Sequence, residues 1–148
     1  MAQSDHTRRA AFADLKTALA DALTDGWTYD DRLDVKTAPQ GRAHLYYTIG
    51  PWDTAVDAGR GRSGDRAYHD SRVVVYMAAR VKPKDREARR LDLLDGIDAI
   101  ELAAHGSHTD GLGLEIWMER SSERQSPSEE WWLVEVTLAV RHTFDLSA

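Results

Sequence analysis

The chain has 148 residues, 42% hydrophobic and 30% charged, with a formal net charge of −6 and no cysteine. That balance predicts one soluble globular domain over residues 1–148, able to bury roughly 68–70% of its unfolded surface. Lack of cysteine excludes disulfides, thiol nucleophiles and thiolate metal sites and fits a reducing interior. The acidic balance argues against a general nucleic-acid binder, and no apolar run approaches the ~20 residues of a membrane span. The start, MAQSDHTRRAAF, has two arginines without the apolar core of a secretory signal.

Phe12, Leu15, Ala18, Leu19, Ala22 and Leu23 recur at helical spacing after Ser4 or Asp5 as candidate N-caps, and Asp25-Gly26 closes the run. Trp27 to Leu33 reads as a short strand diluted by aspartates. A turn at Pro39-Gln40-Gly41 leads to an alternating strand, His44–Ile49, which Gly50-Pro51 breaks before Thr54 to Val56 resumes it. Asp57 to Asp70 lacks apolar periodicity, carries glycines at 59, 61 and 64, and reads as a mobile loop.

Residues 72–81 form a strand apolar on both sides in its middle, which predicts a central place in the sheet. Pro83 can start a helix, with Leu91, Leu94, Ile97 and Ile100 as its buried stripe and Leu93 and Leu102 at the margins. The glycine-rich His105–Gly113 stretch ends it. Leu114, Ile116 and Met118 alternate in a further strand, and the polar Ser121 to Glu130 reads as a loop of roughly nine residues, longer than usual for a hairpin.

The last stretch, Trp131 to Phe144, organises the rest. Trp132, Val134, Val136, Leu138, Val140 and Phe144 share one parity of a two-residue repeat, interrupted only by His142. Fourteen residues at ~3.4 Å span about 48 Å, against a radius of gyration near 15 Å for a compact chain of this size. The strand must therefore bend, or its tryptophan end must project, leaving strand edges that a neighbour would cover. The expected architecture is a mostly antiparallel sheet with both amphipathic helices on one face and a long C-terminal β-hairpin.

Four groups are candidates for function. His105, His108 and Asp110 offer two imidazoles and a carboxylate within six residues, ligand types that zinc accepts, but the spacing matches no strong metal signature and an exposed helix-ending loop is the plainer reading. Gly59–Gly64 superficially resembles a phosphate loop, yet lacks the lysine and the following helix. Its Arg60 and Arg62, with Arg66, make the segment locally basic, as in a solvated loop or a partner contact. The run Arg80–Arg90 has six basic and two acidic residues, and cations such as Arg86 and Arg89 at a helix N-terminus oppose the macrodipole; they either pair locally on a solvated face or meet a partner. Of Trp131 and Trp132, only one can easily enter the core, and the other is covered by the hairpin or exposed at an interface. No serine–histidine–acid cluster or distinctive carboxylate pair stands out, so no enzyme is expected.

The order and patterning resemble the tail terminator proteins of long-tailed bacteriophages and related phage-like particles. The resemblance lies in the amphipathic start Ala11–Leu23, and in the strand Arg72–Val81 leading into the charged-then-apolar Lys84–Leu102. It continues through Leu114–Met118, the polar loop, and the long strand ending Arg141-His-Thr-Phe-Asp-Leu146. It implies a hexameric ring in the virion tail, assembled in the host bacterial cytoplasm, that caps the tail tube and meets the head connector. The implied partners are further copies, the tail tube protein and a neck protein, with DNA passing through the channel without tight binding. The resemblance supplies no cofactor and no catalytic residue. Arg60, Arg62, Arg66, Arg86, Arg89 and Trp131 are the partner-binding candidates. A neck or tail-completion protein is the nearest alternative. A small-ligand or metal-binding α+β domain, centred on His105, His108 and Asp110, is the alternative from another class.

Overall fold

The computed structural model describes residues 7–24, 26–31, 43–57, 66–82, 84–107, 114–125 and 130–145. The elements in chain order are α1 (Arg8–Ala22), β1 (Trp27–Tyr29), β2 (Leu45–Asp57), β3 (Arg66–Arg80), α2 (Arg86–Ser107), β4 (Leu114–Gln125) and β5 (Trp131–Asp145). The strands form one sheet in the order β1-β2-β3-β5-β4. β1 runs parallel to β2, and every other neighbouring pair is antiparallel. The class is α+β, as the sequence predicts.

β5 is the spine of this sheet and not a projecting arm. It pairs with β3 along its whole length, from Arg66↔Asp145 to Arg80↔Trp131, and with β4 from His142 to Trp132. The edge expected on the last strand is therefore absent: β4 and β1 are the outer strands, and β1 covers β2 only at Leu45–Tyr47. β3 and β4 lie parallel on either side of β5 and are joined through α2, a strand–helix–strand crossover with a third strand inserted.

Two register shifts explain why the sequence shows shorter strands. One falls between Ile49 and Trp52, so Gly50-Pro51 bulges β2 without ending it. The side chains facing the helices switch there from Leu45, Tyr47 and Ile49 to Trp52, Thr54 and Val56. A Cβ on Gly50 would stand 2.6 Å from the Tyr76 ring and 2.8 Å from the Val74 carbonyl oxygen, so that crossing requires glycine. The other shift, between Met118 and Arg120, carries β4 on to Gln125, and residues 121–125 are strand, not loop. Likewise β3 begins at Arg66, so the mobile loop expected over Asp57–Asp70 gives way to strand at both ends, and residues 58–65 lie outside the described residues.

Both helices pack on one face of the sheet. Ala11, Leu15, Leu19 and Leu23 of the α1 segment join Leu93, Ile97, Ile100 and Ala104 of α2 over Val73, Val75, Met77, Val134, Val136, Leu138 and Val140. Thr7, not Ser4 or Asp5, caps α1: its hydroxyl accepts from the Ala10 amide at 3.1 Å. Gly26 holds the left-handed conformation expected of it, at φ 79°. Phe12, expected inside, is 37% exposed and tilts against Trp52 with ring centroids 6.1 Å apart.

The buried stripe of α2 is rotated from the expected one. Leu93, Ile97, Ile100 and Ala104 face the sheet, whereas Leu91 and Leu94 are 53% and 38% exposed. Gly96 decides the rotation. A Cβ there would lie 2.7 Å from the Trp27 ring and 2.8 Å from the Met77 methyl, so the helix sits close against β1 and β3 only along the side bearing glycine.

Candidate functional site

The basic run is largely absorbed within the subunit. The Arg86 and Arg90 guanidinium carbons stand 4.9 and 5.2 Å from the centre of the Trp132 ring, and that of Arg80 is 4.8 Å from the centre of Trp131. Arg90 also reaches Glu123 of β4 at 3.2 Å, and Arg89 pairs with Asp92 at 3.1 Å. Cations that oppose the helix macrodipole are thus held by aromatic faces and carboxylates. What sequence reasoning missed here is the pairing of the Trp132 ring with Arg86 and Arg90, since β4 separates the ring from those charges in the chain.

Trp131 is buried too, at 7% exposure, against Tyr46 and Ala78 on the sheet face away from the helices. The prediction that one tryptophan enters the core and the other is covered or exposed resolves as one on each face of the sheet, with Trp132 partly buried against the main core. Trp131 therefore offers little surface to a partner. Arg66 opens β3 opposite Asp145; Arg60 and Arg62 lie outside the described residues. His105 is exposed in the last turn of α2, while His108 and Asp110 lie outside the described residues, and among those described no three potential ligands gather as a metal site would need.

The face away from the helices carries a lattice of charge. Arg141 meets Asp70 at 2.7 Å, Arg72 meets Glu119 at 2.7 Å and Arg124 meets Glu135 at 2.9 Å. Arg72 of β3 reaches Glu119 of β4 across β5, where the small Ala139 lies opposite it in register. Glu119 follows Glu115 and Trp117 on this face, while the β4 bulge after it turns Glu123 to the helices, where it meets Arg90.

Under the helices lie polar groups that the apolar pattern does not announce. His69 and His142 face each other across β3 and β5, with ring centroids 4.9 Å apart and edge to face, and both are buried. Burial first, then His142 and Arg8, hold the His69 imidazole below the ordinary histidine range, so its neutral form prevails. Ser71 is fully buried and takes a hydrogen bond from the Trp52 indole at 3.0 Å, with the Thr54 hydroxyl also at 3.0 Å. Burial, and then Tyr29, raise the Tyr47 phenol above its usual value.

Two surfaces remain with unspent features. The outer side of α2 bears Leu91, Leu94 and Leu102, the last 73% exposed, among Glu87, Asp95, Asp98 and Glu101. Between the start of α1 and β2 lies an open groove of about 500 Å³ lined by Arg8, Arg9, Phe12, Trp52 and Thr54. No helix is long and apolar enough to cross a membrane among the described residues.

No protein-family model matches the chain, and no curated protein matches it. Among solved structures, its fold is similar to that of a chain in the structure titled "Virion of native gene transfer agent (GTA) particle". The two share 17% identity and a TM-score of 0.55, over 90% of this chain and 91% of that one. The likeness is one of fold, and it extends over nearly the full length of both.

Proposed function

We propose that this chain is a structural component of a phage-like particle, and that it acts there as a tail terminator. In this reading its copies join into a hexameric ring in the virion tail, cap the tail tube, end its polymerisation and meet the head connector. The observation that carries the reading is the near end-to-end likeness of fold to a chain of a gene transfer agent virion. The terminator role within such a particle comes from the order and patterning of the elements, which resemble that family. The protein works by association and catalyses nothing. With a net charge of −6, its channel lets DNA pass without gripping phosphates.

The test has two arms. Light scattering and electron microscopy on the full chain should show a ring of six, alone or on tube protein; a monomer at every concentration in both settings overturns the ring. Added to polymerising tube protein, the chain should shorten and cap the tubes. Tubes of unchanged length, with a ring still formed, would move the protein to another place in the particle.

A further inference from the structure

The exposed large apolar side chains among the described residues are Phe12, Val56, Leu91, Leu94 and Leu102. They fall into two patches. Leu91 and Leu102 are eleven positions apart, about three helical turns, and so share one line along the outer side of α2, with Leu94 beside it. Phe12 lines the groove at the start of α1, and Val56 lies on the same side of β2 as Thr54 and Trp52, which line that groove too.

The charges of the two patches are opposite. Around the leucines stand the exposed carboxylates of Glu87, Asp95, Asp98 and Glu101. Among the described residues none of these is ion-paired, and the nearby arginines are committed elsewhere, Arg89 to Asp92 and Arg90 to Glu123 and Trp132. The groove is rimmed by the exposed Arg8 and Arg9 and floored by Phe12 and Trp52. The patches also sit on different elements, one on the outer side of α2 and the other between the start of α1 and β2.

We infer that the acidic, leucine-bearing face of α2 on one copy of this chain docks in the Arg8–Arg9–Phe12–Trp52 groove of the next. Apolar side chains meet an apolar floor, and carboxylates meet guanidiniums at the rim, the arrangement of a specific interface. For a chain of net charge −6, the contact brings copies together where their local charges are opposite. Because the patches differ, the contact is head-to-tail. Repeated, it gives a closed ring when the rotation closes and a filament when it does not. The inference rests on the ring-forming reading above and supplies its surfaces.

Charge reversal on the full chain tests it. One variant combines Asp95→Arg with Asp98→Arg; the other combines Arg8→Glu with Arg9→Glu. All four positions are exposed, and unchanged circular dichroism and melting establish that each variant folds. By light scattering, each variant alone should associate at least tenfold more weakly than the wild type, since like charges now meet. Mixed in equal amounts, the two should assemble again: in an alternating ring every contact pairs opposite charges. Leu102→Ser should also weaken assembly without moving the melting temperature. Wild-type rings with unaffected variants would overturn the docking surfaces while leaving the ring intact. Weak variants that do not recover on mixing would overturn the pairing of these two patches. A wild type that never assembles removes the ring and these surfaces together.

Discussion

Towards the helices β5 presents Trp132, Val134, Val136, Leu138, Val140 and His142, while towards the other side it presents Trp131, Leu133, Glu135, Thr137, Ala139 and Arg141. The same backbone therefore holds two kinds of surface. On the first, each large apolar side chain is worth about 1.5–3 kcal/mol of burial. On the second, exposed cross-strand ion pairs are worth about 0.2–1 kcal/mol each. The difference teaches which side specifies the fold: the helix side supplies most of the stability. The Trp131–Tyr46–Ala78 cluster adds a smaller share at one end of the other side, and the ion pairs there fix neighbours in register at little cost or gain.

The largest effect should come from breaking the covered side. Leu138→Ala removes a fully buried side chain at the centre of the sheet and should cost about 2–5 kcal/mol in urea denaturation. By contrast Leu102→Ala, on the outside of α2, should change stability by no more than about 0.5 kcal/mol. Comparable losses at both positions would mean that α2 is turned differently on the sheet. Gly96→Ala comes next. Alanine favours a helix by about 1 kcal/mol, but its methyl would meet the Trp27 ring at 2.7 Å. Overpacking of about 1–3 kcal/mol should win, and a raised melting temperature would show that Trp27 moves aside freely.

The buried histidine pair sharpens the comparison through pH. The unfolded chain takes up a proton at His69 near 6.5, whereas the folded chain resists it. Its contribution is therefore intact above that value and falls as pH drops through it towards the lower folded-state value. His69→Gln should flatten this decline in stability measured from pH 7.5 to 5; an unaltered slope would assign the decline to other groups. The smallest effect belongs to the charged side. Arg72→Ala, which frees Glu119, should cost about 0.2–1 kcal/mol and less in high salt. A salt-independent loss would mean that the arginine stem is packing over Ala139 instead of pairing.

The fold was legible in the sequence wherever one periodicity ran without interruption. β5 and the middle of β3 have this property, as does the Leu15–Leu19–Leu23 line of α1. Legibility failed at two kinds of place. A bulge shifts the alternation by one residue, so β2 past Gly50 and β4 past Met118 read as breaks although pairing continues. In α2 two leucine-bearing lines interleave, and spacing alone favours neither. The useful signal was charge past the first turn: Leu91 shares its side with Glu87, Asp95 and Asp98, whereas from Leu93 onward its own line holds only Gly96, Ile97, Ile100 and Ala104. The arginine run was visible, but its aromatic acceptor was not, because Trp132 lies over forty positions away and meets Arg86 only through the fold.

The position of β5 between β3 and β4 also governs when the chain can fold. Arg141 and Asp70, bonded across adjacent strands, are separated by 71 positions. Until the last strand has left the ribosome, β3 lacks one neighbour, β4 has none in the sheet, and α2 has only part of the surface it covers. Closure therefore waits for β5 and pays a long loop entropy before its contacts form, which places the domain among the slower folders of its size. Order of synthesis thus becomes order of folding: a chain that stops short of β5 leaves β3 and β4 without the strand they share, and the sheet should not close.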